Sequence, residues 1–126
     1  MSNKTDKPTI LVVDDQPENI DVLSNLLRGK YRVKAATSGE KALEVVKKSN
    51  NPDLVLLDIM MPGIDGYEVC KRLKADSVTK DIPVIFVSAL QNESDKDKAF
   101  ECGAVGYIEK PINPDKVLKS VHEHIR

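Results

Sequence analysis

Three short apolar runs, ILVV (10–13), LVLL (54–57) and VIFV (84–87), constrain this chain more than any other feature. They are rich in β-branched residues and apolar at every position, so they suit strands buried on both faces better than strands with one wet side. Two mixed segments, RVKAA (32–36) and VGYIE (105–109), suit strands nearer a sheet edge. Helical spacing fills the intervals. It places Ile20, Leu23 and Leu27 on one stripe of 17–28, Ala42, Val45 and Val46 on one of 39–48, and Tyr67, Cys70, Leu73 and Lys74 on one of 66–75. Residues 94–102 give a further helix in which Ala99 and Phe100 pack, and Val117, Val121 and Ile125, widened by Leu118, mark the last.

The helix starts carry readable caps. Pro17 and Pro114 suit first-turn positions, Asn113 is a natural N-cap, and Thr37 with Glu40 matches a capping box. Strand then helix, five times over and without an internal repeat, implies one α/β domain: a doubly wound, five-stranded parallel sheet with helices on both faces. In such a fold the functional crevice lies at the carboxyl ends of the strands.

A chain of 126 residues is long enough for one core without metal or disulfide staples. Cys70 and Cys102 show no CxxC spacing and are expected to be buried, reduced thiols. Nineteen basic residues against twenty acidic ones leave a net charge of -1, which gives no reason to expect nucleic-acid binding. The cluster Arg28, Lys30, Arg32 and Lys34 reads as a solvated face. Residues 1–8 are expected to form a flexible tail before a domain spanning 9–126. No signal-peptide h-region and no apolar run near the ~18 residues of a membrane span is visible, so a cytoplasmic location is expected.

The strand ends share one chemistry. The first stops at Asp14 and Asp15, the third at Asp58, the fourth at Ser88, and the fifth runs through Tyr107 to Lys110. Carboxylates gathered in one crevice repel, by about 4 kcal/mol for unit charges 4 Å apart at an effective dielectric of 20. A positive group must compensate. Oxygen-only ligands without His or Cys suit a hard cation, and few carboxylates with room for water suit Mg²⁺ better than a calcium cage. Lys110 supplies a second, fixed charge. His122 and His124, at i and i+2, point to different helix faces and form no helical metal pair.

VVDD (12–15), LLDIMMPGIDGYE (56–68), VSA (87–89) and YIEKP (107–111), in this order and spacing, resemble the receiver domain of two-component response regulators over about residues 9–125. The resemblance implies a flavodoxin-like fold of strand order 2-1-3-4-5 with five helices. It implies Asp58 as phosphoacceptor, and Mg²⁺ held by Asp15, Asp58 and the Met60 carbonyl, with Asp14 acting mainly through a coordinated water. It further implies that Lys110 pairs with the phosphoryl oxygens and that the Lys110–Pro111 peptide is cis. Ser88 and Tyr107 would be a switch pair, with phosphate drawing Ser88 inward and Tyr107 turning from an exposed to a buried rotamer. The implied partners are a sensor histidine kinase or a histidine phosphotransfer protein, with a downstream target reached through the surface at about 94–125. Such a domain is a signalling module and promotes only its own phosphorylation and dephosphorylation. Met61, Pro62, Gly63 and Gly66 would be turn-forming residues.

Other readings meet obstacles. A flavin-binding domain of this fold class needs a neutral, hydroxyl- and glycine-rich loop where DDQPEN stands. A haloacid-dehalogenase-type phosphatase needs a second acid where Met60 stands. GxGxxG and P-loop fingerprints are absent. A metal-free pseudo-receiver that only binds a partner remains as the alternative. DDQPENIDVL and INPDKVLKSVHEHI resemble receivers attached to cyclic-dinucleotide enzymes or hybrid kinases, and a stand-alone receiver and a piece of a longer protein both stay open. The last strand and helix do not show the paired acidic and arginine pattern of DNA-binding regulators that dimerise there, so no dimer is assigned.

Overall fold

The computed structural model describes residues 7–48 and 51–125. Its elements alternate throughout: β1 (Thr9–Val13), α1 (Pro17–Leu27), β2 (Arg32–Ala36), α2 (Gly39–Lys48), β3 (Leu54–Leu57), α3 (Gly66–Ala75), β4 (Val84–Ser88), α4 (Glu93–Glu101), β5 (Gly106–Glu109) and α5 (Pro114–His124). All strands are parallel, in the order β2-β1-β3-β4-β5. The two mixed segments therefore form the sheet edges and the three apolar runs form its centre.

Strand alternation divides the core in two. Ile10, Val12, Leu54, Leu56, Ile85, Val87 and Ile108 face Leu23 and Leu27 of α1 and Val117 and Val121 of α5. Leu11, Val13, Val55, Leu57, Val84 and Phe86 face the opposite layer, with Ala42 and Val46 of α2, Tyr67, Cys70 and Leu73 of α3, and Ala99 of α4. Both layers being apolar explains why the central strands show no polar alternation. The chain leaves β1 for β2 on one side and later returns past it to β3 on the other. This reversal opens a crevice at the carboxyl ends of β1 and β3.

Pro17 and Pro114 occupy the first turns of α1 and α5, and the Asn113 side chain accepts from the N–H groups of Asp115 and Lys116. At α2 the cap differs from the expected Thr37–Glu40 box. Ser38 is the cap, its hydroxyl accepting from Lys41 N–H, while the Glu40 carboxylate accepts from Ile64 N–H across the crevice rim. Two adjacent hydroxyl residues offer two possible caps, and Glu40 found a donor in another loop. Phe100 also departs from expectation, being about half exposed while its neighbour Ala99 is fully buried. Cys70 and Cys102 are buried free thiols, with the Cys70 Sγ donating to the Cys102 carbonyl. Of the expected tail, residues 1–6 lie outside the described residues. Lys7 and Pro8 are tied to the fold, through Lys7 Nζ to the Gly29 carbonyl and Arg32 N–H to the Pro8 carbonyl. Among the described residues no helix is long and apolar enough to cross a membrane.

Candidate functional site

Asp14 and Asp15 follow β1 directly, and Asp58 follows β3. Because β1 and β3 pair in register through Val13 and Leu57, the two strands deliver their carboxylates to one place. Oxygens of Asp14, Asp15 and Asp58 lie within 4.8 Å of one another. Asp14 and Asp58 are buried, and Asp15 is half-buried at the mouth. Backbone donors fix both buried side chains: Gln16 N–H donates to Asp14 Oδ1 at 2.9 Å and Ile59 N–H to Asp58 Oδ1 at 2.8 Å. Asp58 N–H itself donates to the Val13 carbonyl at 2.9 Å, which locks the ends of the two strands together.

Lys110 enters from beyond β5. Its Nζ lies 2.8 Å from Asp14 Oδ2 and 3.4 Å from Asp58 Oδ2, bridging the two buried carboxylates. The Lys110–Pro111 peptide is cis, as the resemblance implied, and Lys110 N–H donates to the Ser88 carbonyl at 2.8 Å. Burial pushes the Asp58 carboxyl above the ordinary aspartate range. Lys110 opposes that shift and the Asp14 charge reinforces it. Burial likewise works against the charged form of Lys110, but the Asp14 hydrogen bond and the two carboxylate charges exceed it and hold the ammonium above its usual value. The site thus carries more negative charge than one lysine satisfies. Its donors are all oxygens, and their spacing fits a small hard cation.

Ser88 and Tyr107 share Leu90 as a partner, and their side chains also interact directly. The Ser88 hydroxyl accepts from Leu90 N–H at 3.1 Å, and the Tyr107 hydroxyl donates to the Leu90 carbonyl at 2.6 Å. Tyr107 is half-buried, with its ring 6.4 Å from that of Phe86. The loop carrying Leu90 is also held by Gln91, whose amide donates to the Lys110 carbonyl. Met60 is exposed on the loop after Asp58, where Ile59, Met60, Met61, Pro62, Gly63 and Asp65 line a shallow recess of about 500 Å³.

Three residues contribute in ways that the sequence reading did not assign to them. Gly66 permits the loop to close: a Cβ there would sit 2.2 Å from the Asp58 carbonyl oxygen. Asp65 caps α3 by accepting from Glu68 N–H, a signal visible in the spacing D-G-Y-E. Leu90 contributes peptide groups, which no side-chain pattern reveals.

A doubly wound sheet whose β1 and β3 ends present three carboxylates to one lysine defines the class of protein. The chain belongs to the response regulator receiver domain family, whose model matches residues 10–122. It is 46% identical over 118 residues to a Vibrio cholerae protein named "Probable cyclic di-GMP phosphodiesterase", covering 94% of this chain and 26% of that protein. It is 42% identical over 105 residues to the response regulator PleD of Caulobacter vibrioides (82% and 23% covered). It is 39% identical over 120 residues to the DNA-binding dual master transcriptional regulator RpaA of Synechocystis (94% and 49% covered). The chain therefore spans from about a quarter to a half of these relatives' lengths. Among solved structures, a response regulator from Chloroflexus aurantiacus superposes with a TM-score of 0.88 at 39% identity, with 93% of this chain and 96% of that one covered. The BeF3-activated DrrB receiver domain superposes with a TM-score of 0.85 at 32% identity, covering 94% and 97%.

Proposed function

We propose that this domain accepts a phosphoryl group on Asp58 from a sensor histidine kinase or a histidine phosphotransfer protein. The observation that carries the reading is the Lys110 ammonium placed between Asp14 and Asp58, a fixed cation beside a nucleophile that must meet an anionic substrate. An Asp58 carboxylate oxygen attacks phosphorus, the P–N bond of a phosphohistidine breaks, and the departing imidazole keeps the electron pair. Phosphoryl transfer of this kind needs alignment and charge neutralisation more than covalent machinery. Lys110 supplies part of both, and Ile59 N–H keeps Asp58 oriented.

Asp15, Asp58 and the Met60 carbonyl are the residues that would hold Mg²⁺, with Asp14 through a water. An ion held there would supply positive charge to neutralise the approaching phosphoryl oxygens. Ser88 would turn its hydroxyl to the new phosphate and so release Leu90 N–H. Since Leu90 also holds Tyr107, the two members of the pair respond through a single peptide unit. The ligand biases the equilibrium only by its stronger contacts to one arrangement.

The domain acts as a signalling switch in the cytoplasm, and the α4–β5–α5 surface reports its state to an output domain or partner. The relatives' greater lengths support an output unit elsewhere, and the domain itself needs no nucleic-acid or membrane contact. A metal-free binding module is not favoured, because it leaves the buried acidic cluster without a use. An NMR titration tests the metal assignment. Mg²⁺ should shift amides at 14–16 and 58–60 in the native chain and much less in Asp15→Asn. Equal responses in the two proteins would refute it.

A further inference from the structure

α4 is weakly anchored by apolar burial. Ala99 is the residue of this helix that is fully buried, and Phe100 beside it is half exposed. Polar contacts from both flanks hold it instead. On the β5 side Lys96 pairs with Glu109. On the α3 side the contact is Tyr67, whose ring is buried in the core while its hydroxyl reaches the first turn of α4, 3.2 Å from the Asp95 carbonyl oxygen and 3.4 Å from Asp95 Oδ1. Lys98 places its Nζ 4.6 Å from the Tyr67 ring centroid, so the same side chain grips α4 one turn further on. The Tyr67 ring is 5.7 Å from Phe86, and Phe86 is 6.4 Å from Tyr107. Burial, aided by the Asp95 charge, pushes the Tyr67 hydroxyl up to about 12, so it stays a proton donor throughout the physiological range.

We propose that Tyr67 is a positioning residue for the Ser88–Tyr107 pair, acting through α4: by fixing Asp95 it fixes where α4 begins, and hence where the loop 89–92 holds the Leu90 peptide. Leu90 stands five positions before Asp95, with Asn92 between them as the N-cap of α4. A displacement of this first turn therefore moves the acceptor of the Tyr107 hydroxyl and the donor to Ser88 together. The structure shows these contacts made at once: Tyr67 to Asp95, Tyr107 to the Leu90 carbonyl, and Leu90 N–H to Ser88. Tyr67 thus favours the arrangement in which Leu90 holds both Ser88 and Tyr107. This inference deepens the proposed switch and rests on that reading for its consequence at Asp58.

The test is Tyr67→Phe, which keeps the ring and its packing and removes the hydroxyl. Without any phosphoryl analogue, hydrogen exchange at 93–101 should accelerate about fivefold, the scale of one neutral hydrogen bond, and the Leu90 amide should shift. α1 and α5 should be unchanged. Asp95→Asn, which keeps both acceptor oxygens, should behave like the native chain. Beryllofluoride, a phosphoryl mimic that must draw Ser88 away from Leu90, should then bind Tyr67→Phe more tightly by up to the same factor. Unchanged exchange in α4, or acceleration spread evenly over all elements, would overturn the proposal. If the native chain itself binds no beryllofluoride, the phosphoacceptor reading fails, while the exchange result still decides the role of Tyr67.

Discussion

Lys110→Met isolates the electrostatic claim, because it removes the ammonium while keeping most of the stem. At the observed separations of 2.8 and 3.4 Å, the attractions to Asp14 and Asp58 amount to about 6 and 5 kcal/mol at an effective dielectric of 20. Removing the ammonium also ends the cost of burying it, so most of that gross sum does not appear as lost stability. What remains is the penalty of leaving two buried carboxylates uncompensated, about 3 kcal/mol on the scale seen when one partner of a buried pair is deleted. Equilibrium urea unfolding in a chelator-containing buffer at pH 7.5 measures this directly. The variant should also bind Mg²⁺ more tightly than the native chain, because a competing cation has left the cluster, and its stability deficit should shrink as Mg²⁺ is added. Phosphorylation should nevertheless slow, since Lys110 no longer aligns the incoming group. A variant as stable as the native chain without metal, or one with weaker Mg²⁺ binding, would refute the charge-balance reasoning.

Gly66→Ala should cost about 3 kcal/mol or more in urea unfolding and reduce phosphorylation of whatever folds, because its Cβ would strike the Asp58 carbonyl oxygen at 2.2 Å. Asn113→Ala should cost about 1 kcal/mol by removing the acceptor for two N–H groups of α5, measurable by the same unfolding assay. Burial raises the Cys70 thiol from 9.0 to about 11, so the folded state holds that proton more tightly than the unfolded chain does. This contribution is fully present below about pH 9 and is lost as pH rises through 11. Unfolding midpoints measured from pH 8 to 11 should fall less steeply in Cys70→Ala.

The strand and helix alternation was legible because the central strands are apolar on both faces and the edge strands are not. RVKAA and VGYIE were placed at the edges by their mixed composition, and they lie there. The strand order came from the resemblance. Periodicity alone does not order strands, because both core layers draw on the same residue types. The acidic edge was visible as charged residues directly after apolar runs, and the structure gathers Asp14, Asp15, Asp58 and Lys110 as expected. The hidden parts are those for which sequence letters are ambiguous or silent. Thr37 and Ser38 are adjacent hydroxyls, and only the path of the loop selects Ser38. Gly66 could be a turn former or a close approach, and the Asp58 carbonyl decides that it is the latter. Leu90 links Ser88 to Tyr107 through peptide groups that every residue possesses. Tyr67 counted as part of an apolar stripe, and its ring behaves so. Its hydroxyl finds Asp95 only because α4 packs beside α3.

The most direct measurement is intact-protein mass spectrometry after incubation with acetyl phosphate, with and without Mg²⁺, on the native chain and on Asp58→Asn. Acceptance of a phosphoryl group on Asp58 predicts a single phosphoryl adduct that appears only when both Mg²⁺ and Asp58 are present. An adduct that persists in Asp58→Asn or forms equally without Mg²⁺, or the absence of any adduct on the folded native chain, would contradict it.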